Sequence, residues 1–130
     1  MTLKRVLCPE RVRQLPPQFS WVDHRLVRER YLDRCDAPAA ALYLFLVTVA
    51  DARGLSYYAD ATLEHRLSLL PARLQQARAD LLRLGLIAYQ RPLYQVLDLA
   101  APPPRAAGDP GADAIGNRIG QLRAALARTP

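Results

Sequence analysis

The sequence predicts a mainly α chain with a small β-hairpin, centred on two helices in close succession. Three observations carry this. Leu63, Leu67, Leu74, Ala77 and Leu81 recur at helical spacing. Gly85 follows where a helix stop belongs, and Leu86-Ile87 opens an extended run. Arg91-Pro92 turns that run, and Leu93 to Leu99 returns. With 51% hydrophobic residues in 130, the chain can bury a core. The expected organisation is a basic extended arm at 1–18, a folded domain at 19–99, a Pro/Gly linker at 100–114 and an amphipathic helix at 115–128.

Taken in order, Met1 to Gln18 carries Lys4, Arg5, Arg11 and Arg13 among Pro9, Pro16 and Pro17, which preclude a long helix. It reads as a basic arm, either touching a groove or phosphates or solvated as a tail. Its apolar Leu3, Val6, Leu7, Val12 and Leu15 imply packing, on this chain or a partner. Phe19 to Val22 reads as an anchor, with Trp21 filling a core gap. Asp23 is expected to cap a helix through Arg34. Its apolar stripe is Val22, Leu26, Val27, Arg30 and Tyr31, with Arg25, Arg28 and Arg34 largely off it.

Asp36-Ala-Pro marks the next helix start, a capping carboxylate with Pro just inside. That helix runs to about Ala52, is apolar all round, and is therefore expected to be central and buried on most sides. Leu55 to Tyr58 is a short strand whose two tyrosines point to opposite faces. Asp60 is expected to cap the first of the two successive helices. Pro71 suits the first turn of the second, whose buried side is Leu70, Leu74, Ala77, Leu81 and Leu84. After the linker, Ile115, Ile119, Leu122 and Leu126 repeat at helical spacing. A helix this short is marginal alone; it either docks on this domain, a second copy or another protein, or is disordered in isolation.

The net charge of +6 favours an anionic partner, nucleic acid first. Seventeen of the eighteen basic residues are arginine, the side chain that forks onto phosphate or guanine. A GC-rich genome produces the same bias. The excess is uneven: residues 1–35 carry +4, residues 36–99 are neutral, and residues 100–130 carry +2. Cys8 and Cys35 match no zinc spacing and follow no secretory signal, so reduced thiols in a cytoplasm are expected. The most apolar stretch, Ala37 to Ala50, is short for a membrane span.

The run Leu63, Leu67, Leu74, Ala77, Leu81, Gly85-Leu86-Ile87, followed by a hairpin, resembles the helix-turn-helix and wing of winged-helix DNA-binding domains. The likeness is greatest to those of plasmid and phage replication initiators and DnaD-like primosomal proteins. It extends upstream through Ala39 to Tyr58, about half the chain. Ser68 stands where the turn often has Gly, Leu70 where Ser or Thr usually caps the second helix, and Glu64 where a small residue is usual. The resemblance implies a winged helix that binds double-stranded DNA as a replication, transposition or transcription accessory factor of a mobile element. The implied location is bacterial cytoplasm, nucleoid-associated when bound. A protein–protein assembly module is the alternative, since winged helices also serve as docking folds. The partners expected are double-stranded DNA, a transposase, replication or other nucleoprotein component, and a second copy of the chain, with no membrane.

On that reading, the second helix keeps its leucines inward and turns Ala72, Arg73, Gln75, Gln76, Ala79, Asp80 and Arg83 outward. Arg73, Gln75 and Gln76 lie toward the end that enters a major groove. Arginine can fork onto guanine and glutamine onto adenine. Arg78, beside the apolar face, and Arg91, at the hairpin tip, are candidate phosphate contacts; Arg91 also fits an ordinary exposed turn. Lys4, Arg5, Arg11 and Arg13 complete the candidate DNA-binding set. No catalytic role is expected. His24 and His65 are the only histidines, and no nucleophile–base pairing, phosphate-binding Gly loop or metal-ligand cluster is legible. Neither a cofactor nor a metal is expected.

Overall fold

A computed structural model describes residues 3–99; the expected linker at 100–114 and helix at 115–128 lie outside the described residues. Among the described residues the architecture is four α-helices and a three-stranded antiparallel sheet. After a 3-10 turn at Pro9–Arg11 come α1 (Arg25–Arg28), a second 3-10 turn (Leu32–Arg34), α2 (Ala37–Val49) and β1 (Leu55–Tyr57). Then follow α3 (Asp60–Leu67), α4 (Pro71–Arg83), β2 (Ile87–Gln90) and β3 (Leu93–Val96).

Helix α2 begins as expected, with Asp36 accepting from the Ala39 N–H at 3.1 Å. It ends at Val49, and a turn built on Asp51 follows. The Asp51 carboxylate accepts from the N–H groups of Arg53 and Leu55 at 2.8 and 2.9 Å, which holds it below the usual carboxylate range. This turn feeds β1 into the sheet, whose order is β1-β3-β2. Ser56 and Tyr89 both lie opposite Tyr94, and Gln90 opposes Leu93 across the two-residue turn Arg91-Pro92. As expected, Tyr57 faces solvent and Tyr58 packs on the core.

The core lies between α2, α3, α4 and the sheet. Leu42 and Leu46 of α2 meet Leu63, Leu74, Leu81, Leu86 and Tyr94, all fully buried. Each buried leucine contributes roughly 1.5–3 kcal/mol. The expected inner face of α4 is buried at Leu74, Ala77 and Leu81 and half-buried at Leu84.

Several expectations are corrected. Leu70 is 73% exposed: it precedes the helix in extended backbone and points away from the stripe. Asp60 is not a cap; Ala59 takes that place, and Asp60 is the first helical residue, its carboxylate drawn to Arg78. The helix from Asp23 to Arg34 is broken, because Arg30 takes a left-handed φ of 63°. The Arg34 guanidinium donates to the carbonyls of Glu29 and Arg30, covering groups the break leaves open.

Asp23 accepts from the Arg25 guanidinium and, less strongly, from the Arg25 N–H, which lowers its pKa to about 2. Trp21 fills no core gap and is 72% exposed; the buried aromatics of the core are Tyr43 and Tyr94. The arm's Leu3, Val6, Leu7, Val12 and Leu15 are all more than half exposed, so the described residues leave most of their surface uncovered. Leu44 leaves α2 covered on fewer sides than its composition implies. No helix of the described residues is long and apolar enough to cross a membrane.

Candidate nucleic-acid interface

Two similar turns set α4 in place. At the end of α3, Ser68 takes a left-handed conformation with φ 55°. The N–H of Ser68 reaches the His65 carbonyl at 3.4 Å, and that of Leu69 reaches Glu64 at 2.9 Å. At the end of α4, Gly85 has φ 73°; its N–H bonds Leu82, and that of Leu86 bonds Leu81. Both are Schellman closures, one built on serine and one on glycine. Pro71 opens α4, and its first turn contains no carboxylate to neutralise the positive end of the helix dipole.

The outer face of α4 presents Ala72, Arg73, Gln75, Gln76 and Ala79 to solvent. Arg73 and Gln75 make no side-chain hydrogen bond or ion pair among the described residues. Gln76 donates to Asp80 Oδ1 at 2.9 Å, and Arg83 donates to the same oxygen at 2.7 Å. Asp80 was expected to face outward with them, but is buried. Its neighbours hold its carboxyl below the usual range, with the Arg83 hydrogen bond the larger influence and Gln76 second. The spacing carried this signal: Gln76 and Arg83 lie four before and three after Asp80, on one side of a helix.

Arg78 is not available to a phosphate. Its guanidinium donates to both Asp60 oxygens, at 2.8 and 3.2 Å, and to the Tyr94 hydroxyl at 2.8 Å. It also lies 4.5 Å from the centre of the Tyr89 ring, and its side chain is 12% exposed. Burial works against its charge, but the bonds to Asp60 and Tyr94 outweigh that and raise its pKa. The Arg78 hydrogen bond in turn holds Asp60 below the usual carboxylate range, with Arg91 adding a weaker pull. One arginine thus joins α3, α4, β2 and β3.

No protein-family model matches this sequence, and the comparison with curated proteins and with solved structures found no match.

Of the remaining candidates, Arg91 is exposed at the hairpin tip, beside a cis bond to Pro92. Lys4, Arg5, Arg11 and Arg13 are exposed on the arm, opposed there only by Glu10. The structure therefore leaves Arg73, Gln75 and Gln76 exposed on the first half of α4, with Gln76 between Arg73 and Gln75 around the helix. It ties Arg83 to Asp80 and assigns Arg78 to the interior. Cys8 and Cys35 are free thiols, and burial pushes the Cys35 thiol up. No group of three potential metal ligands forms among the described residues.

Proposed function

We propose that the chain is a winged-helix protein that binds double-stranded DNA, with α4 in the major groove and the β2–β3 hairpin beside it. The observation that carries this reading is the outer face of α4. Its first half leaves Arg73, Gln75 and Gln76 in solvent around a line of small Ala72 and Ala79, on a helix whose reverse is locked by Leu74, Ala77 and Leu81. Small Ala72 and Ala79 allow close approach of the backbone. Arg73 can fork onto guanine O6 and N7. One N–H of Gln76 is committed to Asp80, which leaves its second N–H and its Oε1; Gln75, with no partner among the described residues, is the freer of the two to fork onto adenine. The arm's Lys4, Arg5, Arg11 and Arg13, with Arg91, supply attraction to phosphate. The proposed setting is an accessory role in replication, transposition or transcription on a mobile element in a bacterial cytoplasm.

The test begins with selection of bound sequences from random duplexes. Binding of the selected and a scrambled duplex is then compared for the parent chain, Arg73→Ala and Gln75→Ala. Both residues are exposed and unpaired among the described residues, so the fold is retained. Each substitution is expected to reduce the preference for the selected site by about 1–3 kcal/mol per lost bidentate pair, with scrambled duplex little affected. An unchanged preference in both variants overturns α4 as the reader.

The assembly module remains the second reading, favoured by the exposed Phe19 and Trp21. Chain that binds no duplex at low salt yet forms a stable complex with a protein neighbour establishes it.

A further inference from the structure

We propose that two copies of the chain associate through the outer face of α2 and the segment 19–22 laid against it. Helix α2 contains no charged residue in its thirteen positions. A helix that is apolar all round is normally covered all round. Here Leu42, Tyr43 and Leu46 face the core, while Ala37, Leu44 and Thr48 face solvent and Ala41 is half-buried. These four are spaced four, three and four apart, the spacing of a continuous stripe along one side. Leu44 is 59% exposed.

The stripe is extended sideways by the chain that precedes α1. The Ser20 hydroxyl donates to the Thr48 carbonyl at 3.3 Å, which brings 19–22 against the end of α2. Phe19, Trp21 and Val22 remain more than half exposed there. An arm that only touched phosphate would have no use for these side chains.

A second copy is the occupant the patch fits. A two-fold contact sets a surface against itself, so charge at its centre meets like charge. The centre of this surface offers none: α2 is uncharged, Asp23 at its border is paired with Arg25 at 2.7 Å, and Asp36 at the helix start and Arg66 over the Phe45 ring lie at its margins. The size is also sufficient. Two aromatics of about 150–250 Å² each, with Val22 and Leu44 beside them, bring two facing patches to about 1,000 Å², where specific interfaces begin.

The test is sedimentation velocity on the full chain without DNA, so its outcome is separate from that of the DNA-binding reading. At about 10 µM the parent chain is expected to sediment as a dimer, with Leu44→Glu and Trp21→Ser each weakening association at least about tenfold. Both residues are exposed, so far-ultraviolet circular dichroism should not change. Trp21 is the only tryptophan, and its emission should move to the red as the parent dimer is diluted apart. A parent chain that is monomeric at every concentration overturns the proposal, whether Trp21 is then shielded or open to a quencher. A dimer of undiminished strength in both variants overturns it equally, because the contact then lies elsewhere.

Discussion

Gly54 and Ser68 both hold left-handed backbone, but they respond to substitution with opposite signs. Gly54 has φ 85°, and a Cβ built on it lies 2.6 Å from the Val96 carbonyl oxygen. That oxygen belongs to backbone that also donates to Gly54, through the Val96 N–H at 2.8 Å, so neither side can retreat freely. Gly54→Ala is expected to destabilise the chain by about 2 kcal/mol or more. At Ser68 the strain is already present, because a side chain occupies a conformation that suits glycine. Ser68→Gly is expected to stabilise by about 0.5–1 kcal/mol, the relief of strain exceeding the added freedom of the unfolded chain. Urea midpoints of both variants against the parent check the pair. The glycine at 85 was legible because it stands just past a periodic run. Arg30 carries no such sign, since arginine seldom takes this backbone, and so the break after α1 was missed.

Between elements, the Asp60–Arg78 pair makes stability depend on pH. The bond to Arg78 lowers the folded pKa of Asp60 below its unfolded value of 3.8. The unfolded chain therefore takes up protons first as pH falls, and stability drops below about pH 4. Asp23 adds to this limb between its unfolded 3.8 and its folded value of about 2. Asp60→Asn is expected to cost about 1–2 kcal/mol at pH 7, because the guanidinium loses its ionic acceptor in a partly buried place. The variant should then lose less than the parent between pH 6 and pH 3, as followed by chemical denaturation at each pH. The elements themselves were readable, because α2, α4 and the hairpin each follow one period bounded by recognisable caps and turns. The role of Asp60 is not legible in the sequence, because a carboxylate at a helix start serves as a cap or as an ion-pair partner. The choice depends on Arg78, eighteen residues away and delivered by tertiary packing.

Over the whole chain, charge and apolar surface fall in different places. Residues 36–99 sum to zero, while the arm is basic. If duplex DNA is the ligand, the arm should dominate the salt dependence. Replacing Lys4, Arg5, Arg11 and Arg13 together with Ala should reduce the slope of log affinity against log salt by up to about 4, measured between 50 and 200 mM salt as rough limits. An unchanged slope would assign the phosphate contacts to the folded body instead. The arm's basic character was plain in the sequence; where its apolar residues and Trp21 point was not. Composition states that a tryptophan prefers cover, but not whether the chain's own core has room for it.

The Arg78 junction also bears on how the body moves. Because one guanidinium holds two helices and a hairpin together, none of them can peel away without stripping several bonds at once. Fraying is thereby exchanged for opening of the whole unit. A surface mounted on such a unit has its shape before any encounter, and little ordering entropy is left to be lost on contact.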